Sequence, residues 1–332
     1  MSCDVAVLGA GNMGTALAQV IATNGHAVRL WSIEHDVLQE VRDKHYNTKY
    51  LDDIKLHPDI AATWELAKAV DGASLVVISV PSQVVGGLAA ELGPLIKPGQ
   101  LILNVAKGLE AGTHLRMSEV VRAQMDSSCA GFVGSMGGPA IAIEMARGVP
   151  MAVIIGIKDN DGRATCQRIL QNENLKVEAT QDVTGLELCA TLKNVYAIAL
   201  GMCDGLSYGT NTKAFLANLA LEEMSAIAAE LGGQGRTVYG LAGLGDLLTT
   251  GFSEHSRNRT LGERIGGSGD WQHFLRTHTV EGVGACRAVK EMIDGRGLET
   301  RLLDTIHQVL FGDRPAPEAM RHFFRDFSYS VS

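Results

Sequence analysis

A lysine in an apolar helix is the residue with the clearest chemical potential in this sequence. Lys193 shares a helical stripe with Leu186, Ala190, Ala197 and Gly201, and a helix that is apolar on nearly every face is expected to be buried. No acid stands three or four residues away, so any carboxylate partner must come from another segment. Burial lowers the pKa of a lysine and a carboxylate opposes that shift, so Lys193 is a candidate general acid or base. The alternative is a lysine that snorkels to the helix edge.

An isolated acid supplies the expected partner for this lysine. Asp246 lies in a run of glycines, leucines and threonines, and a carboxylate in apolar surroundings needs a cation. We therefore expect an ion pair between Asp246 and Lys193, the alternative for Asp246 being a helix or turn cap. Arg257 and Asn258 follow soon after and predict a phosphate or carboxylate site, because a guanidinium donates hydrogen bonds in a fork.

A glycine loop near the N-terminus predicts dinucleotide binding. The strand-like run of residues 5–8 leads into glycines spaced as G-x-G-x-x-G, and a helix-like segment follows. The first glycine makes a tight turn, the second admits a pyrophosphate, and the third lets the helix pack on the strand. A tight turn in some other α/β sheet is the alternative. The predicted cofactor loop comprises Gly9, Gly11, Asn12, Met13 and Gly14.

Cofactor preference is predicted from the segment after the second strand-like run, which ends at Trp31. Glu34 follows, where a carboxylate can accept hydrogen bonds from a ribose 2′-hydroxyl. No Arg or Lys lies in residues 32–39 to pair with a 2′-phosphate. The pattern favours NAD over NADP, with NADP as second choice, and a solvated acid is the alternative interpretation of Glu34.

The elements that must position these residues change character along the chain. Apolar β-branched runs alternate with helix-length segments at residues 5–8, 27–31, 75–78, 101–103, 131–133 and 152–155. Such runs predict a parallel sheet covered on both faces. Long helical segments follow at residues 185–203 and 212–231. We predict an α/β fold with a Rossmann-type, doubly wound parallel sheet over residues 1–181, followed by an all-helical domain over residues 182–332.

Loops at the carboxyl ends of parallel strands line the ligand crevice of such a sheet. Lys107 follows the fourth of the predicted strands, so we expect it beside the cofactor, the alternative being a solvated loop lysine. Predicted cofactor contacts at strand ends and in these loops are Trp31, Ser82, Lys107 and Ala142, and Gly138 is a predicted substrate contact.

Composition limits the partners. Lys and Arg total 29 against 37 Asp and Glu, a net charge of −8, which argues against broad nucleic-acid or anionic membrane contact. The six cysteines and ten histidines show no metal-ligand or disulfide spacing, so we predict no metal. The N-terminus has no signal-peptide pattern and no apolar run approaches ~18 residues, which predicts a cytoplasmic chain without a membrane span.

The chain resembles the NAD(P)-dependent glycerol-3-phosphate dehydrogenase family over almost its whole length. Matching segments are residues 9–14, 47–51, 106–110, 192–198, 243–247, 256–259 and 280–282. The resemblance implies that Lys193 is the general acid/base at the C2 oxygen and that Lys107, Asn194, Asp246 and Thr250 complete the polar site. It further implies that substrate phosphate is held by Ser256, Arg257 and Asn258, and that the cofactor is reached by Arg257, Thr279 and Glu281.

The activity that this resemblance implies is interconversion of dihydroxyacetone phosphate and sn-glycerol 3-phosphate, with hydride transfer at C2, as a supply of glycerophospholipid precursor. The substrate is thus a small phosphate, and an apolar face of the helical half is a candidate homodimer interface. Two residues depart from the family pattern: Ala140 stands where many bacterial members have a hydroxyl residue, and Ile33 where many have a basic one. The alternatives are a related reductase for another small 2-oxo or 2-hydroxy compound, and an NAD-binding sensor without turnover.

Overall fold

The computed structural model describes residues 2–267, 269–312 and 314–327. The chain divides into two compact units, Met1–Glu187 and Leu188–Ser332. The domain boundary predicted from the sequence, after residue 181, lies six residues before the end of the first unit at Glu187 and stays a prediction. The outer ends of the two predicted domains, residue 1 and residues 328–332, lie outside the described residues.

The first unit is built on one eight-stranded sheet. Its strands are β1 (Asp4–Leu8), β2 (Ala27–Trp31), β3 (Ile60–Thr63), β4 (Leu75–Ile78), β5 (Leu101–Asn104), β6 (Val133–Gly137), β7 (Met151–Gly156) and β8 (Leu175–Thr180). Its helices are α1 (Asn12–Thr23), α2 (His35–Lys44), α3 (Thr48–Leu51), α4 (Leu66–Val70), α5 (Ser82–Leu92), α6 (Met117–Ala123), α7 (Ala142–Ala146) and α8 (Asn160–Leu170).

The strand order is β3-β2-β1-β4-β5-β6-β7-β8. Because β1 pairs in parallel with both β2 and β4, the chain reverses its winding direction beside β1, where such sheets bind ligands outside the carboxyl strand ends. Successive β1 residues pack into different cores: Val5 and Val7 into one, Ala6 and Leu8 into the other. Burial of both faces explains the continuous apolar runs, and the predicted doubly wound α/β class is confirmed.

One pairing departs from the predicted parallel sheet, since β6 and β7 run antiparallel. The connection between them contains only the five-residue helix α7, which is too short to carry the chain back for a parallel crossover. The strand expected at residues 131–133 was also misplaced, because Ala130–Phe132 forms a 3₁₀ turn and β6 begins at Val133.

The second unit is built of helices joined by loops, with no strand in its described part. Its helices are α9 (Val183–Gly205), which contains the unit boundary, α10 (Thr210–Glu230), α11 (Asp246–Gly251), α12 (Arg257–Gly266), α13 (Trp271–Thr277), α14 (Glu281–Ile293), α15 (Arg301–Phe311) and α16 (Ala316–Asp326). Helix α9 is long and apolar enough by composition to span a membrane, but its apolar window is entirely buried inside the fold. It is therefore a core helix, as the apolar pattern around Lys193 predicted.

Glycines bring α9 and α12 into direct backbone contact. A Cβ on Gly201 would lie 2.0 Å from the Arg259 carbonyl oxygen, and one on Gly262 would lie 1.9 Å from the Ile198 carbonyl oxygen. No side chain larger than hydrogen fits either position without a backbone shift. This close packing fixes the start of α12 relative to the helix that carries Lys193.

Candidate active site

The glycine loop after β1 has the geometry that a diphosphate requires. Gly9 has φ +112°, and a Cβ there would lie 2.3 Å from the Ser79 carbonyl oxygen. A Cβ on Gly14 would lie 1.9 Å from the Gly9 carbonyl oxygen, whereas one on Gly11 meets nothing within 4 Å. Gly9 and Gly14 thus allow the turn and the close packing of α1 on β1, while Gly11 leaves open space at the N-terminus of α1, where amides face an anion.

Residues 47–51, which entered the sequence analysis only through the family resemblance, brace this loop. The buried Asn47 donates from Nδ2 to the Ala10 carbonyl oxygen at 2.9 Å and to Thr15 Oγ1 at 2.8 Å. Asn12 Nδ2 donates to the Tyr50 carbonyl oxygen at 2.8 Å. Asn47 is therefore a structural support of the cofactor loop, and reasoning from residue types alone missed it.

Glu34 does not stand alone at the end of β2. Its Oε1 accepts hydrogen bonds from Lys49 Nζ at 2.9 Å and from the Tyr50 hydroxyl at 3.1 Å. The hydrogen bond with Glu34 raises the pKa of Lys49. A basic side chain thus lies beside the predicted ribose-binding acid, although none occurs in residues 32–39. The Trp31 indole, also predicted to contact the cofactor, is buried and donates to the Trp64 carbonyl oxygen at 3.0 Å.

The loops after β5 and β6 bring two predicted site residues together. Lys107 Nζ donates to the Gly138 carbonyl oxygen at 3.4 Å, and Gly138 has φ +94°, which favours glycine. Ser82 and Ala142 are the first residues of α5 and α7. Ala140 and Ala142 pack against an apolar core of this unit. Since alanine has no hydroxyl, residue 140 offers no side-chain hydrogen bond to a substrate.

The second unit holds the lysine in a buried polar cluster. Lys193 is 6% exposed, and its Nζ donates to Asp246 Oδ1 at 2.6 Å and to Thr250 Oγ1 at 2.7 Å. Asp246 begins α11 and Thr250 lies one turn later, so both face the same point on α9. The predicted ion pair is confirmed, and the snorkelling alternative is wrong. The cap alternative fails too, because Gly245 is the N-cap and no side chain caps α11.

Next to Lys193 lies a cycle of hydrogen bonds among Asn194, Asn258, Glu281 and Gly282, here called the amide ring. Asn194 Nδ2 donates to Glu281 Oε2 at 3.0 Å, and Asn258 Nδ2 donates to Asn194 Oδ1 at 3.0 Å. The Gly282 amide donates to Asn258 Oδ1 at 2.9 Å and closes the cycle through the backbone. The ring joins the starts of α12 and α14 to α9.

The start of α12 has the features of an anion site. Ser256 is its N-cap, and Ser256 Oγ accepts from the Arg259 amide at 3.2 Å. Arg257 is exposed and makes no ion pair within the described part of the chain. Arg259 Nε donates to Asp204 Oδ2 at 2.8 Å, which anchors the helix to α9. Thr279 is exposed just before α14. The exposed guanidinium at a helix N-terminus suits a phosphate.

Comparison with known proteins decides the family. The N-terminal and C-terminal profiles of NAD-dependent glycerol-3-phosphate dehydrogenase match residues 4–163 and 182–321. The chain belongs to the NAD-dependent glycerol-3-phosphate dehydrogenase family. It is 36% identical over 318 residues to glycerol-3-phosphate dehydrogenase [NAD(P)+] of Agathobacter rectalis, covering 95% of this chain and 94% of that protein. The corresponding enzyme of Exiguobacterium sp. is 36% identical over 324 residues, covering 97% and 95%.

A solved structure of this family has the same fold. Glycerol-3-phosphate dehydrogenase from Coxiella burnetii superposes with a TM-score of 0.87 at 31% identity, covering 97% of this chain and 99% of that one. The family resemblance drawn from the sequence is thereby confirmed. The roles of individual site residues, including Asn258 and Thr279 as ligand contacts, stay predictions.

Two buried carboxylates were missed by the sequence analysis. Glu187, on α9, accepts from Arg116, Ser118 and Ser135 at 2.6–2.9 Å. Glu223, on α10, accepts from Tyr196, and burial raises its pKa to about 7. An ionisable residue within an apolar helical stripe is the signal that could have indicated both carboxylates, as it indicated Lys193.

Proposed function

We propose that this chain catalyses the NAD(P)-dependent interconversion of dihydroxyacetone phosphate and sn-glycerol 3-phosphate. The observation that carries the proposal is the buried cluster of Lys193, Asp246 and Thr250 in a family member. When bound, the nicotinamide takes or supplies the hydride at C2. Lys193 gives its Nζ proton to the C2 oxygen when the ketone is reduced, and takes a proton from it when the alcohol is oxidised.

The neighbours of Lys193 orient its nitrogen. Asp246 is 2% exposed and balances the charge of the ammonium group, and Thr250 gives Nζ a second fixed direction. Because water is largely excluded from all three side chains, their dipoles and charges act with little screening on an oxygen that changes charge. Asn194, beside the lysine on α9, extends the polar site.

The substrate phosphate is assigned to the N-terminus of α12. Ser256 and Arg257 offer a helix end and an exposed guanidinium, and Asn258 is the third predicted contact. Lys107 and Gly138, which contact each other in the first unit, are further proposed substrate contacts. A chain of net charge −8 needs such a local positive set to hold a phosphate dianion.

The cofactor is assigned to the glycine loop, which leaves room for a diphosphate at Gly11. Glu34 accepts from the ribose 2′-hydroxyl, so NAD is preferred over NADP. The remaining proposed cofactor contacts are Asn12, Met13, Trp31, Ser82, Lys107, Ala142, Arg257, Thr279 and Glu281.

The substrate assignment is tested by comparing the rates of NADH oxidation, followed at 340 nm, with dihydroxyacetone phosphate and with dihydroxyacetone. We expect turnover of the phosphate only, and a rise of about 100-fold in its KM for Arg257→Ala, since a charge-assisted pair is lost. Equal use of both compounds, with no effect of Arg257→Ala, would favour another 2-oxo substrate. NADH binding without any turnover would favour a sensor.

We further propose that the chain is a cytoplasmic homodimer that supplies glycerol 3-phosphate for glycerophospholipids. Exposed apolar side chains of the helical unit, such as Tyr239, Leu248 and Phe252, support an interface. Light scattering of the purified chain should give twice the monomer mass of 35.3 kDa. A monomer at micromolar concentration would contradict the homodimer.

A further inference from the structure

The amide ring connects residues to which separate roles are assigned. Asn194 and Asn258 are predicted substrate contacts, whereas Glu281 is a predicted cofactor contact. The ring ties the three side chains together through bonds of 3.0 Å. We propose that Asn258 is a positioning residue for the cofactor: it orients the Asn194 amide, which in turn orients the Glu281 carboxylate. This inference rests on the proposed function through the role of Glu281 at the cofactor.

The Gly282 N–H and the Glu281 carboxylate fix which way each amide of the ring faces. The Gly282 N–H can only donate, so the oxygen of the Asn258 amide must face it. An ionised Glu281 can only accept, so the nitrogen of the Asn194 amide must face that carboxylate. The Asn258 nitrogen then meets the Asn194 oxygen. Each amide has one orientation that satisfies both neighbours, and neither can turn over alone.

Burial of the two asparagines and close packing at Gly282 limit how far the ring can relax, whereas Glu281 at its edge is exposed. Asn194 is 4% exposed and Asn258 is 8% exposed, so water cannot readily replace a lost partner. A Cβ on Gly282 would lie 2.5 Å from the Asn194 carbonyl oxygen and 2.7 Å from Asn258 Oδ1. Because the start of α14 is pressed against the ring, a change at Asn258 is transmitted to Glu281 rather than absorbed by a backbone shift.

The substitution Asn258→Asp should therefore act at a distance. The new carboxylate still accepts from the Gly282 amide but has no donor for the Asn194 oxygen. The Asn194 amide regains a bond only by turning over, and its oxygen then faces the Glu281 carboxylate. Glu281 loses its donor and is repelled from its position.

A second substitution should repair the reversed ring. In the double variant Asn258→Asp with Glu281→Gln, the introduced glutamine amide donates to the turned Asn194 oxygen, and the turned Asn194 nitrogen donates to the new carboxylate. Both side-chain bonds are thus restored in the opposite direction, while the Gly282 amide still donates to residue 258. Glu281→Gln alone keeps the original direction, because the glutamine oxygen accepts from Asn194. Non-additive effects of the two substitutions are thus the signature of transmission through Asn194.

The test is titration of each full-length variant with NADH, followed by cofactor fluorescence without substrate. We expect Asn258→Asp to raise the NADH Kd about tenfold in the presence of Glu281, and less than about threefold when Glu281→Gln is already present. Asn218→Asp, which changes an exposed asparagine bonded to Glu222, is the matched control and should leave the Kd unchanged.

Other outcomes overturn the inference. Additive effects, no effect of Asn258→Asp, or a double variant that fails to fold or binds NADH more than about threefold more weakly than Glu281→Gln would each show that the ring does not transmit. If Asn258→Asp alone fails to fold while the double variant folds and binds like Glu281→Gln, the repair is demonstrated. Wild-type protein that does not bind NADH would contradict the proposed function itself, whereas an additive cycle with normal turnover contradicts only the inference.

Discussion

A buried ion pair is costly to assemble, and Lys193 and Asp246 form one between helices that are otherwise largely apolar. Desolvation of two charges offsets much of their attraction, so a well-packed apolar pair of similar volume would often be as stable. The pair is therefore poorly explained as a stabilising feature. It is well explained as a proton-carrying group and its counter-ion, which is the role proposed for it.

Removal of the counter-ion should harm both stability and turnover. Asp246→Asn leaves the Lys193 ammonium buried without a carboxylate, so we expect the free energy of unfolding to fall by about 3 kcal/mol or more, and kcat to fall with it. Thermal melting and initial rates measure the two effects. Asp71→Asn is the matched control, because the pair of Asp71 and Lys97 is mostly exposed and contributes little to stability. Equal losses for both variants would contradict a special role for Asp246.

Cofactor choice should depend on Glu34. Its carboxylate, held by Lys49 and Tyr50, accepts from a 2′-hydroxyl but repels a 2′-phosphate. Glu34→Gln should shift the ratio of the KM values for NADPH and NADH about tenfold toward NADPH, because one charge-assisted hydrogen bond and one repulsion are removed. Asp36→Asn, which changes a nearby acid in the first turn of α2, serves as control. An unchanged ratio would show that Glu34 does not contact the ribose.

Strands with a continuous apolar sequence were predicted, whereas β3 and β8 were not. Strands β1 and β4 are buried on both faces over nearly all their length, and their apolar runs stand out in the sequence. Strand β8 alternates buried and exposed residues, and β3 has only four residues at the sheet edge. Partial exposure at an edge removes the apolar run on which the prediction depended.

Substitutions of Gly14 and Gly11 in the cofactor loop should have different effects. Gly14→Ala places a Cβ 1.9 Å from the Gly9 carbonyl oxygen, so we expect the melting temperature of the chain to fall. Gly11→Ala meets nothing within 4 Å, so the melting temperature should stay while the NADH Kd rises at least tenfold through contact with the diphosphate. Normal NADH binding by folded Gly11→Ala would place the diphosphate elsewhere.

Helix α15 should respond to pH through Glu223, which accepts from the Leu302 and Leu303 amides at its start. Burial raises the pKa of Glu223 from 4.5 to about 7. The folded chain thus holds this proton more tightly than the unfolded one, so the stability from Glu223 is complete below about pH 4.5 and is lost as the pH rises through about 7. Melting temperatures between pH 5 and 8 should fall less steeply for Glu223→Gln. Parallel slopes would contradict the raised pKa.

The parts of the site that were predicted from the sequence are those whose pattern lies within a single segment. The glycine loop and the apolar stripe around Lys193 are local patterns, and the Asp246 partnership follows from the lack of any nearer acid. Contacts that join distant segments were not predictable, such as Lys49 with Glu34, 15 residues away, and Asn194 with Glu281, 87 residues away. Local patterns carry no information on which polar side chains the tertiary fold will bring together.

Proton transfer by Lys193 in the reduction of dihydroxyacetone phosphate is the step on which the proposed function depends. Its most direct test is the rate of NADH oxidation at 340 nm, at saturating substrate, for the wild-type chain and Lys193→Met, with Lys44→Met as the exposed control. We expect turnover by the wild type and the control, and a kcat lower by about 100- to 10,000-fold for Lys193→Met with NADH binding retained. Wild-type turnover by Lys193→Met would contradict the claim.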